Sequence, residues 1–241
     1  MEFRNVRAVI VDIEGTTSSI AFVKERLYPY ARRHLPDYVR EHATTLPDLI
    51  DEVKRIAGNA TLDTPQLITV LLHWMDEDRK ITPLKELQGL VWKQGYASGA
   101  LRSHVYEDAV RALKQWRERG LDLYVYSSGS VAAQRLLFSH TEQGDLTPLF
   151  SGYFDTTIGS KLAADSFRAI ARSIGLSAGA ALFLSDHPGE IEAAAGAGMQ
   201  ALLVDRESGA ASAATPDRIR SFDEVALPDV PRGSRSWSGS H

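Results

Sequence analysis

Asp12 and Glu14 stand two residues apart in Val11-Asp12-Ile13-Glu14-Gly15-Thr16-Thr17, directly behind a short apolar run. Carboxylates at the end of a buried strand are costly unless a cation or hydrogen bonds compensate them. Asp12 therefore reads as a nucleophile or a metal ligand and Glu14 as an acid/base, against the plain alternative of a solvated strand end. Tyr126-Ser127-Ser128-Gly129-Ser130 leads into an apolar helix carrying Val131, Leu136 and Leu137. Hydroxyls and open backbone N–H groups at a helix start suit a phosphate, although serine caps are common. Lys161, in Gly159-Ser160-Lys161, adds an ammonium that by itself would be an ordinary solvated lysine. Leu184-Ser185-Asp186-His187-Pro188-Gly189-Glu190 puts Asp186 at another strand end, with Glu190 in the next helix's first turn. The helix dipole favours a carboxylate there anyway, so capping and a functional role weigh equally for Glu190. Together these groups make a site for Mg²⁺ and a phosphoryl group. Mg²⁺ takes about six oxygen ligands, commonly one or two carboxylates completed by water and phosphate.

The elements that must position these residues are visible as alternating periods. Ala8–Val11, Leu121–Tyr126, Ala180–Leu184 and Ala201–Val204 are continuous apolar runs, with Gly152–Phe154 a weaker one. Such runs mark strands covered on both faces of a parallel sheet. Ala109, Ala112, Leu113 and Trp116 follow a helical stripe closed by Gly120, and Phe167, Ile170, Ala171 and Ile174 another closed by Gly175. The alternation predicts a doubly wound α/β core. From about Ser19 to Leu101 the patterns are helical only. Ile50, Val53 and Ile56 share one stripe; Leu67, Leu71 and Trp74 another, with Thr64 as its expected N-cap; Leu84, Leu87 and Val91 a third, opened by Thr82. The segment Phe22–Tyr38 reads as helix interrupted at Pro29 and Pro36. The expected division is an α/β core of residues 1–18 and 103–228, a helical insertion at 19–102, and a disordered polar tail at 229–241. An insertion directly after the first strand is expected to overhang the carboxyl ends of the strands, where such sheets bind ligands.

Composition narrows the class. The 241 residues are 44% hydrophobic and 24% charged, with a net charge of −4. They hold no long basic run for nucleic acid, no apolar stretch of roughly 20 residues for a bilayer, and no secretory-type N-terminus. The absence of cysteine excludes disulfides, thiol nucleophiles and zinc–thiolate sites, and leaves a cytoplasmic location as the default.

The order Asp-x-Glu, Ser-Ser, Lys, Asp around a helical insertion resembles the haloacid dehalogenase superfamily of phosphohydrolases. The run Val11–Thr17, Phe22-Val23-Lys24, Tyr28-Pro29-Tyr30-Ala31-Arg32, Tyr126–Gln134 and Leu146–Asp155 are similar to the enolase-phosphatase (acireductone synthase) family. The resemblance implies a Rossmannoid parallel sheet with an all-helical cap that covers the site. It implies a cytoplasmic monomer, one Mg²⁺ per subunit, and a small phosphorylated diketone of methionine salvage as substrate, enolised and then dephosphorylated. Asp12 would attack phosphorus. Glu14 would give its carbonyl to the metal and its side chain to proton transfer, and Asp186 would complete the metal site. Ser127 and Ser128 would hold the phosphate while Lys161 neutralises it. Phe22, Val23 and Tyr28 would line a methylthio pocket or simply pack within the insertion. The Pro188-Gly189 pair departs from the family pattern and leaves the role of Glu190 open. The alternatives are a general small-molecule phosphatase of the same superfamily and, more remotely, a receiver-type signalling module. A receiver carries its phosphoacceptor on a later strand and has no insertion of this size.

Overall fold

The computed structural model describes Phe3, residues 5–206 and residues 218–230. The apolar run Ala8–Val11 forms β1, buried at every position. With β2 (Asp122–Tyr126), β3 (Gly152–Phe154), β4 (Ala181–Ser185), β5 (Gln200–Val204) and β6 (Arg218–Ile219) it makes one sheet ordered β3-β2-β1-β4-β5-β6. Every pairing is parallel. The two-residue β6 has no apolar run to announce it and was not expected.

The chain builds outward from β1 to β3, then crosses to the other side of β1 for β4. The strand order reverses there, and the crevice at such a switch point is where open α/β sheets bind ligands. Register aligns Val11 with Val125 on one side and Leu184 on the other. Asp12, Ser127 and Asp186 therefore leave the sheet along the same edge.

Helices α6 (Glu107–Glu118), α7 (Val131–Ser139), α8 (Ala164–Ser173) and α9 (Pro188–Gly196) connect the strands. One face of the sheet packs Ile10, Tyr126 and Phe183 against Phe167 and Ile170 of α8 and Ala194 of α9. Beyond the last strand, the Val230 N–H donates to the Arg119 carbonyl at 2.8 Å. Most of the expected polar tail, residues 231–241, lies outside the described residues.

The chain divides into two compact units, one of residues 1–20 and 104–241 and one of Ala21–Ser103. The second begins within a single helical turn, α1 (Ile20–Phe22), that leads into a π-type turn, Val23–Leu27. It holds α2 (Tyr28–His42), α3 (Pro47–Ala57), α4 (Thr64–Asp76) and α5 (Thr82–Ala97). Leu35, Val39, Val53, Leu71, Leu87 and Val91 close its own core. Pro36 does not interrupt α2. The buried stripe of Ala31, Leu35 and Val39 carries the helix across it, and the carbonyl that Pro36 cannot serve belongs to Arg32, an exposed residue. The N-cap of α4 is Asp63 rather than Thr64, in a reciprocal capping box with Gln66, and Thr82 lies inside α5 with no side-chain cap before it. No helix among the described residues is long and apolar enough to cross a membrane.

The end of β5 is tied to the start of α6. Asp108 accepts from Arg206 at 3.1 Å, from the Phe222 N–H at 2.8 Å and from the Ser221 hydroxyl at 3.0 Å. Burial alone would raise the Asp108 carboxyl, but these donors outweigh it and hold the group below its ordinary 3.8. A depressed carboxylate stabilises the fold above its unfolded value, and that contribution is lost as pH falls through the folded value. Asp108→Asn is expected to cost about 2 kcal/mol at pH 7, between an exposed and a fully buried pair. Urea melts should show the gap between parent and variant shrinking below pH 4. A gap of the same size in acid would mean that the charge is not what matters.

Candidate active site

Asp12 follows β1 into a turn that the backbone closes on itself. The Thr17 and Ser18 N–H groups both donate to the Ile13 carbonyl, at 3.0 and 2.8 Å. The Thr17 hydroxyl donates to the Asp12 carbonyl at 2.9 Å. This leaves Asp12 only 5% exposed, with Oδ1 2.6 Å from the Lys161 Nζ. Lys161 is itself only 8% exposed. It reaches this depth because Gly159, at φ +138°, lets its loop close on Ser166, where a Cβ would stand 2.2 Å from the Ser166 hydroxyl. The Tyr126 hydroxyl donates to the Gly159 carbonyl at 3.0 Å and anchors that loop to β2.

Lys161 also lies 2.8 Å from Glu190 Oε2, which accepts from the buried Ser185 hydroxyl at 2.7 Å. Two buried carboxylates thus share one ammonium. Burial, with Glu190 nearby, pushes the Asp12 carboxyl up to about 7 against the pull of Lys161. Burial would lower the Lys161 ammonium, but Asp12 and Glu190 more than offset it and hold it above its ordinary value, so it stays charged.

Asp186 is brought to the same turn from β4. Its N–H donates to the Thr16 hydroxyl at 2.9 Å. Its carboxylate lies against Gly15, where a Cβ would fall 2.2 Å from Oδ2. Gly15 also sits at φ +73°, so only glycine fits there without strain. Burial and then Glu190 raise the Asp186 carboxyl as well. Among the described residues no cluster of three or more His, Cys, Asp or Glu side chains stands ready to hold a metal. The donor set here is two carboxylates, Asp12 and Asp186, beside the backbone carbonyls of a tight turn. That fits a hard ion completed by water and phosphate. The desolvated carboxylates are groups that a further cation would compensate.

The serine turn differs from the expected cradle. Ser127 is buried and accepts from the Gly129 N–H at 3.3 Å. The Val131 N–H is taken by Asp155 at 3.1 Å and the Ala133 N–H by Ser130 at 3.3 Å. Gln134 donates to the carbonyls of Gly129 at 2.7 Å and Phe154 at 2.8 Å, bracing the turn on β3. Several amides at this helix start are therefore committed internally, beside the buried Ser127 and the exposed Ser128. Glu14 is exposed in the turn that follows Asp12, its backbone paired with Ser18.

Residues 6–198 match the family model of the haloacid dehalogenase-like hydrolases. Enolase-phosphatase E1 of Pseudomonas aeruginosa (strain LESB58) is 55% identical over 206 residues, covering 85% of this chain and 92% of that protein. Enolase-phosphatase E1 of Methylococcus capsulatus is 53% identical over 222 residues, covering 91% and 97%. The chain belongs to the enolase-phosphatase E1 family of haloacid dehalogenase-like hydrolases. The UTR4 protein of Saccharomyces cerevisiae superposes on this member with a TM-score of 0.79 at 33% identity, over 91% of this chain and 99% of that one. CbbY of Rhodobacter sphaeroides, at 17% identity and a TM-score of 0.55, shares the fold.

For this enolase-phosphatase E1 family member, sequence reasoning left several residues of the site undecided or unnamed. Glu190 looked equally like a helix cap; its burial against Lys161 becomes visible only once β1, β4 and the Lys161 loop are side by side. Thr16, Asp155 and Gln134 stood within the quoted motifs but carried no role. A run of small polar residues behind a strand-end carboxylate was the one signal that could have marked Thr16.

Proposed function

We propose that this hydrolase enolises 2,3-diketo-5-methylthiopentyl-1-phosphate and then removes its phosphate, giving the acireductone 1,2-dihydroxy-3-keto-5-methylthiopentene of methionine salvage. The observation that carries the reading is the Asp12 carboxylate held 2.6 Å from a buried Lys161 ammonium at the switch point of the sheet, in a member of this family. In this mechanism Asp12 attacks phosphorus, the bond from phosphorus to the C1 ester oxygen breaks, that oxygen takes up a proton as the acireductone leaves, and water then hydrolyses the phosphoryl group from Asp12. Lys161 offsets charge on Asp12 and the phosphoryl oxygens, and the hydroxyls of Ser127 and Ser128 donate to those oxygens. Asp12, Asp186 and the Glu14 carbonyl would hold a Mg²⁺, which when bound supplies positive charge against the phosphoryl oxygens. Glu190 keeps the Lys161 ammonium charged and in place.

The test supplies the diketo phosphate with Mg²⁺ and follows enol absorbance and free phosphate separately. Both signals are expected. Chelation should abolish phosphate release and Mg²⁺ restore it; full release in excess chelator would remove the metal from the reading. Phosphate release without enol absorbance would favour a general small-molecule phosphatase.

Glu14 is assigned the proton shuttle of the enolisation. The hydrogen to be taken lies on the carbon between the ester oxygen and a carbonyl, beside the phosphate grip. Glu reaches one methylene further than Asp from the same turn. Glu14→Asp is expected to slow enolisation of the diketo phosphate at least fivefold more than hydrolysis of an aryl phosphate, in line with proton-transfer contributions of roughly 10²–10⁴. Equal losses in both rates would place the base elsewhere.

A further inference from the structure

Arg206, just beyond β5, is far from the nucleophile in sequence but not in space. Its side chain is 9% exposed, and its Nε donates to the Thr16 carbonyl at 2.7 Å across 190 residues. The guanidinium carbon lies 3.9 Å from the centre of the Tyr106 ring, and Nη1 is 3.1 Å from both oxygens of Asp108. The Tyr106 N–H donates to the Thr17 carbonyl at 2.9 Å. Two successive carbonyls of the nucleophile turn are thus held from the start of α6 and the end of β5.

Among the described residues the buried Arg206 Nη2 has no hydrogen-bond partner. A neutral carbonyl at Thr16 needs no buried charge to satisfy it; what a planar, preorganised guanidinium adds is a fixed direction. Thr16 is fully buried, and its hydroxyl takes the Asp186 N–H. The peptide that Arg206 orients therefore carries the hydroxyl that sets where Asp186 stands relative to Asp12.

We propose that Arg206 is a positioning residue for the cation site, acting through Thr16 on Asp186, with Asp108 and Tyr106 holding the guanidinium. The proposal rests on the reading that Asp12 and Asp186 hold Mg²⁺. Displacing a group that supports a metal ligand typically costs 10–100-fold in metal affinity.

The test titrates Mg²⁺ alone into the full chain by calorimetry, alongside melting curves. Arg206→Gln combined with Asp108→Asn removes both charges together and leaves no buried ion unpaired. Thr16→Val removes only the hydroxyl, and Thr16→Ser keeps it. The first two are expected to weaken Mg²⁺ binding at least fivefold, and Thr16→Ser to stay within twofold of the parent. At saturating Mg²⁺, turnover of an aryl phosphate should fall in kcat with little change in KM. Parental Mg²⁺ affinity in either folded variant would overturn the proposal. A parent chain that binds no Mg²⁺ would overturn the metal reading itself, and this inference with it.

Discussion

Asp12→Asn should stop phosphate release, with a loss of at least about 10³-fold, because an amide cannot be phosphorylated and loss of a nucleophile has cost as much as roughly 10⁶ in other hydrolases. The fold should survive. Asparagine is nearly the same shape, and burial already resists a negative charge at this position. Lys161 keeps its contact with Glu190 at 2.8 Å. A phosphate assay and a thermal melt, run together, check both halves. Release within tenfold of the parent would refute the covalent route. A collapsed melt would show that the Asp12–Lys161 pair is a structural requirement first.

Lys161→Ala comes next in size. Read from sequence, an exposed lysine contributes little to stability, and its loss would damage catalysis more than folding. The structure alters that expectation, since Lys161 is buried between Asp12 and Glu190. Removing it leaves two buried carboxylates facing each other without a cation. Breaking such a pair costs about 3–5 kcal/mol. Activity should fall roughly 10²–10³-fold, the scale of losing one preorganised donor to a charged transition state.

The stability cost should depend on pH. An Asp12 carboxyl that sits above its unfolded value of 3.8 binds more protons folded than unfolded, so stability falls as pH rises from that value to about 7. Without Lys161 the upper end of this window moves higher, and the deficit should be smaller at pH 5 than at pH 8. The double variant Lys161→Ala, Glu190→Gln should regain much of the stability at pH 8 and none of the activity. A single variant as stable as the parent at pH 8, or one keeping a tenth of its activity, would return Lys161 to the solvated surface.

How much of this was legible beforehand follows from the range of each interaction. The buried strands, the helical stripes of the insertion, and the strand-end positions of Asp12, Ser127 and Asp186 could be read because burial on both faces of a sheet and period-3.6 packing leave local marks. The caps were legible only to within a residue, since Asp63 and Thr64 are both good capping types and the choice depends on where Gln66 can reach back. Pro36 does not end its helix because the packed stripe of Ala31, Leu35 and Val39 outweighs a proline's local penalty, and that packing is decided by the tertiary fold. β6 was invisible, being two residues held by pairing with β5 alone.

The amino-acid sequence by itself determined the parallel core, the helical insertion and which residue types could make a phosphoryl site, since these follow from neighbours along the chain. Only the tertiary structure decided that Lys161 is buried on Asp12 across 149 residues, that Glu190 shares it, and that Arg206 holds Thr16. Those contacts depend on the sheet's register and on which loops can approach closely, as at Gly15 and Gly159. Distance in space between such groups is set by packing, and no spacing along the chain encodes it.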